Sequence, residues 1–222
     1  MNVLNVTASV LQSLREKIII CELKPGYKLN ELNISTDLGI SRPPLREAFR
    51  ILEKDHMVVN IPRKGTYVAE LSVKDFIEVS QVREMIECYC VDLLKASNTR
   101  DLPKVKSALD KAMGVALPLK NVDRLELLKY IKVFLDFHKS LIGSSENSVL
   151  ISIYSSISFN LARYQFIYFY AEGTAQHSLE DHNRVLELIR NGDYDQAKEE
   201  LKRHINYTVE LVKTRILDRV IF

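Results

Sequence analysis

Residues 25–58 are PGYKLNELNISTDLGISRPPLREAFRILEKDHMV, and residues 62–68 are PRKGTYV. Pro25-Gly26 predicts a turn, and the residues after it predict a short helix over Asn30–Leu38. A second helix is expected over Ser41–Lys54, because serine is a favoured N-cap. Two helices joined by a tight turn are the pattern of a helix-turn-helix.

The flanking residues extend this pattern. Val6–Cys21 carries apolar residues at helical spacing, which predicts a helix ahead of the first turn. Val58–Ile61 and Thr66–Ala69 are β-rich runs on either side of a basic, glycine-containing turn at 62–65, which predicts a hairpin. The order helix, helix, turn, helix, hairpin predicts a winged helix-turn-helix over residues 1–71.

The helix that starts at Ser41 carries a basic stripe. Three arginines recur every four residues, so they share one face, while the leucines and the phenylalanine between them face inward. The second helix of a helix-turn-helix lies in the DNA major groove, where arginine binds guanine or phosphate. The alternative is an exposed basic helix whose arginines pair with Glu47 and Glu53. We expect DNA contacts from Ser41, Arg42, Arg46 and Arg50 of this helix and from Arg63, Lys64 and Gly65 of the hairpin turn.

Residues 72–222 predict an all-α domain of six helices and no strand, so the fold class is mainly α. Prolines, glycines and Asn-Thr or Gly-Ser pairs mark the breaks between them. The predicted helices are Val73–Ser97, Leu102–Leu117, Val122–Ile142, Asn147–Tyr170, Ala175–Arg190 and Tyr194–Leu217.

Composition limits the class of protein. The chain is 46% hydrophobic and 27% charged, as in a soluble globular protein. Its net charge of +2 lies entirely in residues 1–71, which hold 10 Lys and Arg against 8 Asp and Glu. The N-terminus does not resemble a secretory signal, and three cysteines without metal-type spacing suit a reducing cytosol, so we expect a cytoplasmic protein. Val149–Tyr170 is apolar, but polar side chains interrupt it, which favours a buried helix over a membrane span.

The first segment resembles the winged helix of the GntR family, through LGISRPPLREAFRIL with the upstream PG and the glycine of the hairpin turn. The all-α remainder is similar to the FCD ligand-binding domain of the FadR-like branch, so the resemblance covers essentially the whole chain. It implies that Arg42, Arg46 and Arg50 carry DNA recognition and that Gly65 lets the wing approach the DNA backbone. One departure is His56-Met57, where the family usually has a glycine closing the recognition helix.

Three histidines lie on three separate predicted helices: His138, His182 and His204. Helical bundles build metal sites from side chains on facing helices. The resemblance implies a divalent metal held by three such histidines and by an Asp four residues before the first. Here Phe134 stands in place of that Asp, and Asp136 lies on a different face of the helix. Three imidazoles still suit Zn²⁺ or Ni²⁺ with open positions, and an anionic ligand would be favoured; the alternative is a decayed site without metal.

Two arginines are candidates for effector binding. FCD proteins often aim an arginine at the effector from the position of Arg83; the alternative is a surface ion pair with Glu87. Arg163, one turn from Asn160, lies in the most apolar helix, where a charge must be paired or face a polar cavity. The alternatives for Arg163 are a structural salt bridge and a dimer contact.

Together these features predict a homodimeric, ligand-responsive transcriptional regulator, expected to be a repressor, that binds a palindromic operator in double-stranded DNA. Its effector is expected to be a small carboxylate, and no membrane is involved. Two alternatives remain, a constitutive DNA-binding protein with a vestigial sensor domain and a metal-dependent enzyme. The enzyme is disfavoured because the sequence holds no nucleophile elbow, glycine-rich phosphate loop or HExxH motif.

Overall fold

The structure is a computed structural model that describes residues 3–115, 123–172 and 176–217. Its contacts divide the chain into two compact units, with the division between Leu71 and Ser72. The chain is mainly helical, as the sequence predicts.

The first unit is a winged helix-turn-helix. The sheet order is β1-β3-β2, with both pairs antiparallel and Ile61 opposite Gly65 at the hairpin end. The apolar side of the third helix is buried, with Leu45 and Leu52 fully inaccessible. Its elements are α1 (Val3–Ile19), β1 (Lys28–Leu29), α2 (Glu31–Asp37), α3 (Arg42–Lys54), β2 (Val58–Ile61) and β3 (Gly65–Val68).

Strand β1 was not predicted, and the hairpin is part of a three-stranded sheet. Two residues are too short to show the alternation that marks a strand. The strand forms because the turn at Gly26, with φ 74°, brings the chain beside β3. There Gly26 N donates to Val68 O at 3.0 Å, and Val68 N donates to Tyr27 O at 2.9 Å.

Helix α3 begins after Ser41, but the predicted capping hydrogen bond is absent. Ser41 has the extended backbone of an N-cap, yet its hydroxyl accepts no capping bond from a described backbone N–H. An N-cap oxygen accepts from the second or third helical residue. Those residues are Pro43 and Pro44, which have no N–H to donate. The serine hydroxyl therefore stays available at an exposed helix end.

Helix α3 ends without the glycine that its family usually has there. His56 takes the left-handed conformation itself, with φ 57°. Met57 N donates to Leu52 O at 2.9 Å and His56 N donates to Glu53 O at 3.0 Å, the bonding pattern of a Schellman motif. The turn is therefore made by a residue for which this conformation is strained.

The second unit contains six helices within its described residues. Helix α5 ends before the predicted Leu117, because Gly114 forms its C-cap; Leu117, Val122 and Ala175 lie outside the described residues. The helices are α4 (Val73–Ala96), α5 (Pro103–Met113), α6 (Arg124–Gly143), α7 (Ser148–Glu172), α8 (Gln176–Asn191) and α9 (Tyr194–Leu217).

Helix α7 is buried mainly over its second half. From Asn160 to Phe169 every side chain is buried, including the charged Arg163. Val149, Ile151 and Ile153 near its start are exposed. The expectation of a buried helix therefore holds for the second half, whereas in the first half only Tyr154 and Ser158 are buried. Within the described segments, no helix is long and apolar enough to cross a membrane.

The strained end of α3 gives a first prediction. His56→Gly should raise the free energy of unfolding by about 0.5–1 kcal/mol, because glycine adopts the left-handed conformation without the Cβ penalty. Lys54→Gly, two residues earlier and still helical, should lower stability by about 1 kcal/mol. Urea unfolding followed by circular dichroism measures both; a destabilised His56→Gly variant would contradict the account of this turn.

Candidate DNA-binding surface and metal centre

The exposed face of α3 carries the three arginines of the stripe. Arg46 and Arg50 expose 64% and 70% of their side chains, and Arg42 is exposed as well. The opposite face is buried through Leu45 and Phe49. The helical spacing thus separates a basic face from an apolar face, as predicted.

Two of these arginines are already paired. Arg46 Nε donates to Glu31 Oε2 at 2.9 Å, and Arg50 donates to both carboxylate oxygens of Glu47 at 2.7 and 3.0 Å. The hydrogen bonds from Arg50 lower the pKa of Glu47. Exposed pairs of this kind are weak, so a phosphate can replace the carboxylate at little cost. The alternative of solvated pairs therefore holds for Glu47, whereas Arg46 pairs with Glu31 and Glu53 accepts from Asn60 N instead. Neither exposed pair excludes a contact with DNA.

The hairpin turn holds its basic residues outward. Arg63 and Lys64 are exposed, and Lys64 N donates to Ile61 O at 3.0 Å. Arg63 has φ 63° and Gly65 has φ 107°. A Cβ on Gly65 would approach only Lys28 Cε, at 3.6 Å, so backbone conformation rather than local space explains the glycine.

The second unit brings the three predicted histidines together. His138 lies on α6, His182 on α8 and His204 on α9, and they are 0%, 2% and 4% exposed. One nitrogen of each lies within 4.8 Å of the other two. His182 Nε2 and His204 Nε2 are 3.3 Å apart, close to the nitrogen separation of about 3.3 Å in a tetrahedral site with Zn–N bonds of 2.0–2.1 Å.

Buried carboxylates orient two of the imidazoles. His204 Nδ1 lies 3.1 Å from Asp181 Oδ2, and His138 Nδ1 lies 3.1 Å from Glu87 Oε2. When each Nδ1 carries the proton and donates it to the carboxylate, each Nε2 presents its lone pair to the cluster. Carboxylates bonded to histidines in this way are typical neighbours of metal sites.

The third histidine has no such partner. His182 Nδ1 is buried and has no hydrogen-bond partner among the described residues. Its ring stacks on Phe137 with centroids 4.0 Å apart. Burial is the largest cause that lowers the pKa of all three imidazoles below the ordinary value. They are therefore neutral, the form that binds metal.

Phe134 occupies the position where the family resemblance places an acid. It is buried, and its ring packs 5.2 Å from that of Phe169. Asp136 lines a surface groove with Lys104 and Lys111, which agrees with its predicted orientation away from His138. Three neutral imidazoles, with one nitrogen of each within 4.8 Å of the other two, still fit a divalent metal.

Arg83 touches this cluster. It is buried, and its Nε donates to Glu87 Oε1 at 2.7 Å, so the alternative of a surface ion pair was wrong about burial but right about the partner. Its Nη2 lies 2.7 Å from His138 Nε2 and 3.1 Å from Nδ1. Because both distances are short, the Nη2 atom lies over the face of the imidazole ring and not in the ring plane along the lone pair of Nε2.

The other two effector candidates belong to a different network. Asn160 Nδ2 donates to Asp75 Oδ2 at 3.1 Å, and Arg163 lies 3.5 Å from Asn160 Oδ1. Tyr164 OH donates to the same Asp75 oxygen at 2.6 Å. This network ties α7 to the first turn of α4, which supports the structural role that the sequence left open for Arg163.

Sequence reasoning missed the buried roles of Glu87 and Asp181. Glu87 was considered only as a partner of Arg83, four residues earlier. Asp181 lies next to His182 in the sequence, but its carboxylate pairs with the imidazole of His204, 23 residues later. The positions of Glu87 and Asp181 on their helices indicate that both are buried. The pattern within one helix does not show which histidine on another helix each carboxylate contacts.

The fold and these sites define a winged-helix DNA-binding protein with a helical sensor-type domain. The family model for bacterial regulatory proteins of the gntR family matches residues 6–68, and the model for the FCD domain matches residues 78–207. The chain belongs to the GntR family and carries an FCD domain, as the sequence motifs indicated. It is a DNA-binding transcriptional regulator of this family.

Relatives and solved structures agree with the family. The HTH-type transcriptional regulator YdhC of Bacillus subtilis is 25% identical over 201 residues, 90% of this chain and 88% of that protein. The gluconate operon transcriptional repressor of Bacillus licheniformis is 25% identical over 174 residues, 78% of this chain and 68% of that protein. The structure of E. coli McbR/YncC has the same fold, with a TM-score of 0.74 at 20% identity over 95% of this chain and 98% of that one.

The buried neutral histidines give a second prediction. Unfolding exposes imidazoles that take up protons near pH 6.5, whereas the folded cluster stays neutral, so the unfolded chain binds more protons below that pH. The free energy of unfolding of the metal-free protein should therefore fall as pH decreases from about 7 to about 5.5, by up to about 1.4 kcal/mol per pH unit for each histidine.

His182→Gln should reduce this slope, because it removes one of the buried imidazoles. Urea titrations at several pH values in a chelating buffer measure the slopes. Equal slopes in the wild type and His182→Gln would contradict a neutral buried cluster.

Proposed function

We propose that the protein is a homodimeric regulator that binds a palindromic operator and changes its DNA affinity when the helical domain binds a small organic acid. The observation that carries this proposal is the buried cluster of His138, His182 and His204 beside Arg83, in a chain with an exposed arginine stripe on α3. The family is one of bacterial regulatory proteins, whose DNA lies in the cytoplasm, and we propose that the protein acts there.

DNA contacts are proposed for the exposed face of α3 and for the hairpin turn. Arg42, Arg46 and Arg50 would reach base edges or phosphates. The hydroxyl of Ser41, which makes no capping hydrogen bond, adds a hydrogen-bonding group at the start of the helix. Arg63 and Lys64 would contact the DNA backbone or the minor groove. Gly65 adopts the positive φ that this turn requires.

A divalent metal, Zn²⁺ or Ni²⁺, is proposed to be held by the three Nε2 atoms. Bound there, it would act as a Lewis acid with open positions for an anionic ligand. Asp181 and Glu87 keep the proton on Nδ1 of their histidines, so the lone pairs face inward. No carboxylate at position 134 neutralises the charge, which favours an acid as the ligand.

The class of effector has support from a relative. One relative is the gluconate operon transcriptional repressor, and gluconate is a small carboxylic acid. A buried arginine beside a metal-type cluster suits a carboxylate, because a guanidinium binds it through two parallel hydrogen bonds. We therefore propose a small carboxylate as the effector, with Arg83 as its partner and with Asn160 and Arg163 in a supporting structural role.

The homodimer is proposed from exposed apolar side chains on two helices of the FCD domain. Val149 and Ile153 lie four residues apart on α7, and Met85 and Tyr89 do so on α4; all four are exposed. Pairs at this spacing share a helix face, and exposed apolar faces mark protein interfaces. A two-fold dimer would place two recognition helices on the two halves of a palindrome.

A regulator is favoured over an enzyme by the pairing of the carboxylates. Glu87 bonds Arg83 and His138, and Asp181 bonds Arg203 and His204, so each is held by a positive partner and a histidine. A general base must be free to take a proton from a substrate. Their role here is to orient imidazoles.

The DNA-binding surface gives a third prediction. The operator is first selected from random duplexes with the full-length protein, and a two-fold site with half-sites one helical turn apart is expected. Arg50→Ala should weaken operator binding by about 10-fold or more, and Lys64→Ala should weaken binding to all duplexes and lower the salt slope by about one.

Fluorescence anisotropy at several salt concentrations measures both effects. Lys104→Ala, which removes an exposed charge of the helical domain, is the control and should bind like the wild type. Unchanged operator affinity in Arg42→Ala, Arg46→Ala and Arg50→Ala alike would exclude α3 as the recognition helix.

The metal centre gives a fourth prediction. The protein should bind one Ni²⁺ per chain, and His182→Ala should weaken binding by about 100-fold or more. Asp181→Asn should weaken it by about 10–100-fold, because His204 loses its orienting carboxylate. Asp136→Asn is the control and should change nothing, since Asp136 lies in a surface groove.

Competition with a chromogenic chelator measures these affinities. Small carboxylic acids added to the loaded protein should then change operator affinity. If metal binds through the histidines but no acid alters DNA binding, the constitutive alternative is correct.

A further inference from the structure

The two paired arginines of α3 are held in different ways. Glu47 lies on the same helix as Arg50 and accepts from both its Nε and its Nη2, at 3.0 and 2.7 Å. Glu31 lies on α2, and its hydrogen bond with Arg46 joins Oε2 to Nε alone, at 2.9 Å. The bond at Arg46 therefore links two helices and uses one of the five N–H groups of the guanidinium.

The bond from Glu31 leaves the terminal edge of the Arg46 guanidinium available. The two Nη groups form this edge, and they lie in one rigid plane with Nε. Arginine binds guanine through two parallel hydrogen bonds to O6 and N7. A carboxylate on Nε therefore fixes the plane and direction of the guanidinium without occupying the groups that would bind a base.

We infer that Glu31 is a positioning residue for DNA recognition: its carboxylate holds the guanidinium of Arg46 in the orientation that binds one guanine of the operator. This inference rests on the proposed contacts between α3 and DNA, and it adds a specificity-determining residue on α2. Glu31 acts through Arg46 and contacts no base itself.

The start of α2 holds the carboxylate of Glu31 in place. Glu31 is the first residue of the helix, and the side chain of Asn30 caps this end by accepting from Leu32 N and Asn33 N at 2.9 and 3.1 Å. A carboxylate in the first turn is stabilised by the positive end of the helix dipole. The Glu31 side chain is also less exposed than that of Arg46, at 34% against 64%. The acid is therefore the better anchored partner of the pair.

The other acids on this side of the domain have partners of their own. Glu53 lines the same groove as Glu31, but it accepts from Asn60 N at 3.3 Å. Glu47 is bonded to Arg50. Both acids are therefore engaged, and neither is available to replace Glu31 when it is removed.

Charge and positioning predict opposite effects when Glu31 is removed. A carboxylate beside a DNA-binding face repels phosphates, so its removal alone should tighten binding to every duplex. Loss of a positioning residue should instead weaken binding only to a duplex that carries the guanine. Affinities for an operator and for an unrelated duplex therefore separate the two roles.

The test measures dissociation constants by fluorescence anisotropy for the selected operator, for the operator with each base pair replaced in turn, and for an unrelated duplex. Arg46→Ala should abolish discrimination at one G·C pair. Glu31→Ala should bind the unrelated duplex about 2-fold more tightly than the wild type, yet lose about 10-fold of the discrimination at that same pair. Glu31→Gln keeps an acceptor oxygen and should retain most of this discrimination.

Glu47→Gln is the matched control, because it removes an equal charge from the same domain but pairs with Arg50. It should also tighten binding to the unrelated duplex, and it should leave discrimination at the Arg46 base pair unchanged. In an Arg46→Ala background, Glu31→Ala should only tighten binding, since no guanidinium remains to be positioned. Circular dichroism and urea unfolding verify that the variants are folded.

The outcomes separate this inference from the proposed function. If Arg46→Ala relaxes discrimination at one base pair and Glu31→Ala does not, Arg46 binds its base without Glu31 and the inference is wrong. If Arg46→Ala weakens binding to all duplexes equally, Arg46 contacts phosphate; the inference then fails and the proposed DNA-binding surface stands. If no arginine of α3 affects operator affinity, both fail.

Discussion

The buried carboxylate of Glu87 holds together the centre of the helical domain. It accepts from Arg83 on its own helix and from His138 on α6, and it is fully inaccessible to solvent. A carboxylate in this position is tolerated only because both oxygens are bonded and a positive charge is adjacent. The same bonds set the tautomer of His138 and the position of the guanidinium. The arrangement of the imidazoles therefore depends on a residue that need not touch a metal itself.

The DNA-binding domain depends on backbone conformation rather than on buried charge. Gly26 and Gly65 adopt left-handed conformations where the chain must turn into and out of the sheet, and His56 does so at the end of α3. Prolines at the start of α3 remove the N–H groups that a serine cap would bond. These local constraints fix where the recognition helix begins and ends, and so which side chains lie on its exposed face.

Local patterns in the sequence predicted most of this structure, and contacts between distant residues explain what they missed. Periodicity and turn residues predicted the winged helix, the six helices and the arginine stripe, because each depends on neighbours within a few residues. The convergence of the three histidines was predicted from the family resemblance, together with their places on separate helices. Strand β1 and the pairing of Asp181 with His204 were not, since each depends on segments that meet only in the folded chain.

Phe134 changes what the centre requires from its ligand. Its ring packs against Phe169 where the family resemblance implies a coordinating acid, so a metal held by the three histidines would lack that acid's negative charge. Glu87 and Asp181 do not supply it, because each is bonded to an arginine and to Nδ1 of a histidine. A cation held by neutral imidazoles in a buried site then depends on an external anion for charge balance. The loss of one carboxylate would therefore make metal occupancy more sensitive to the presence of an acid than it would be in a centre that neutralises its own charge.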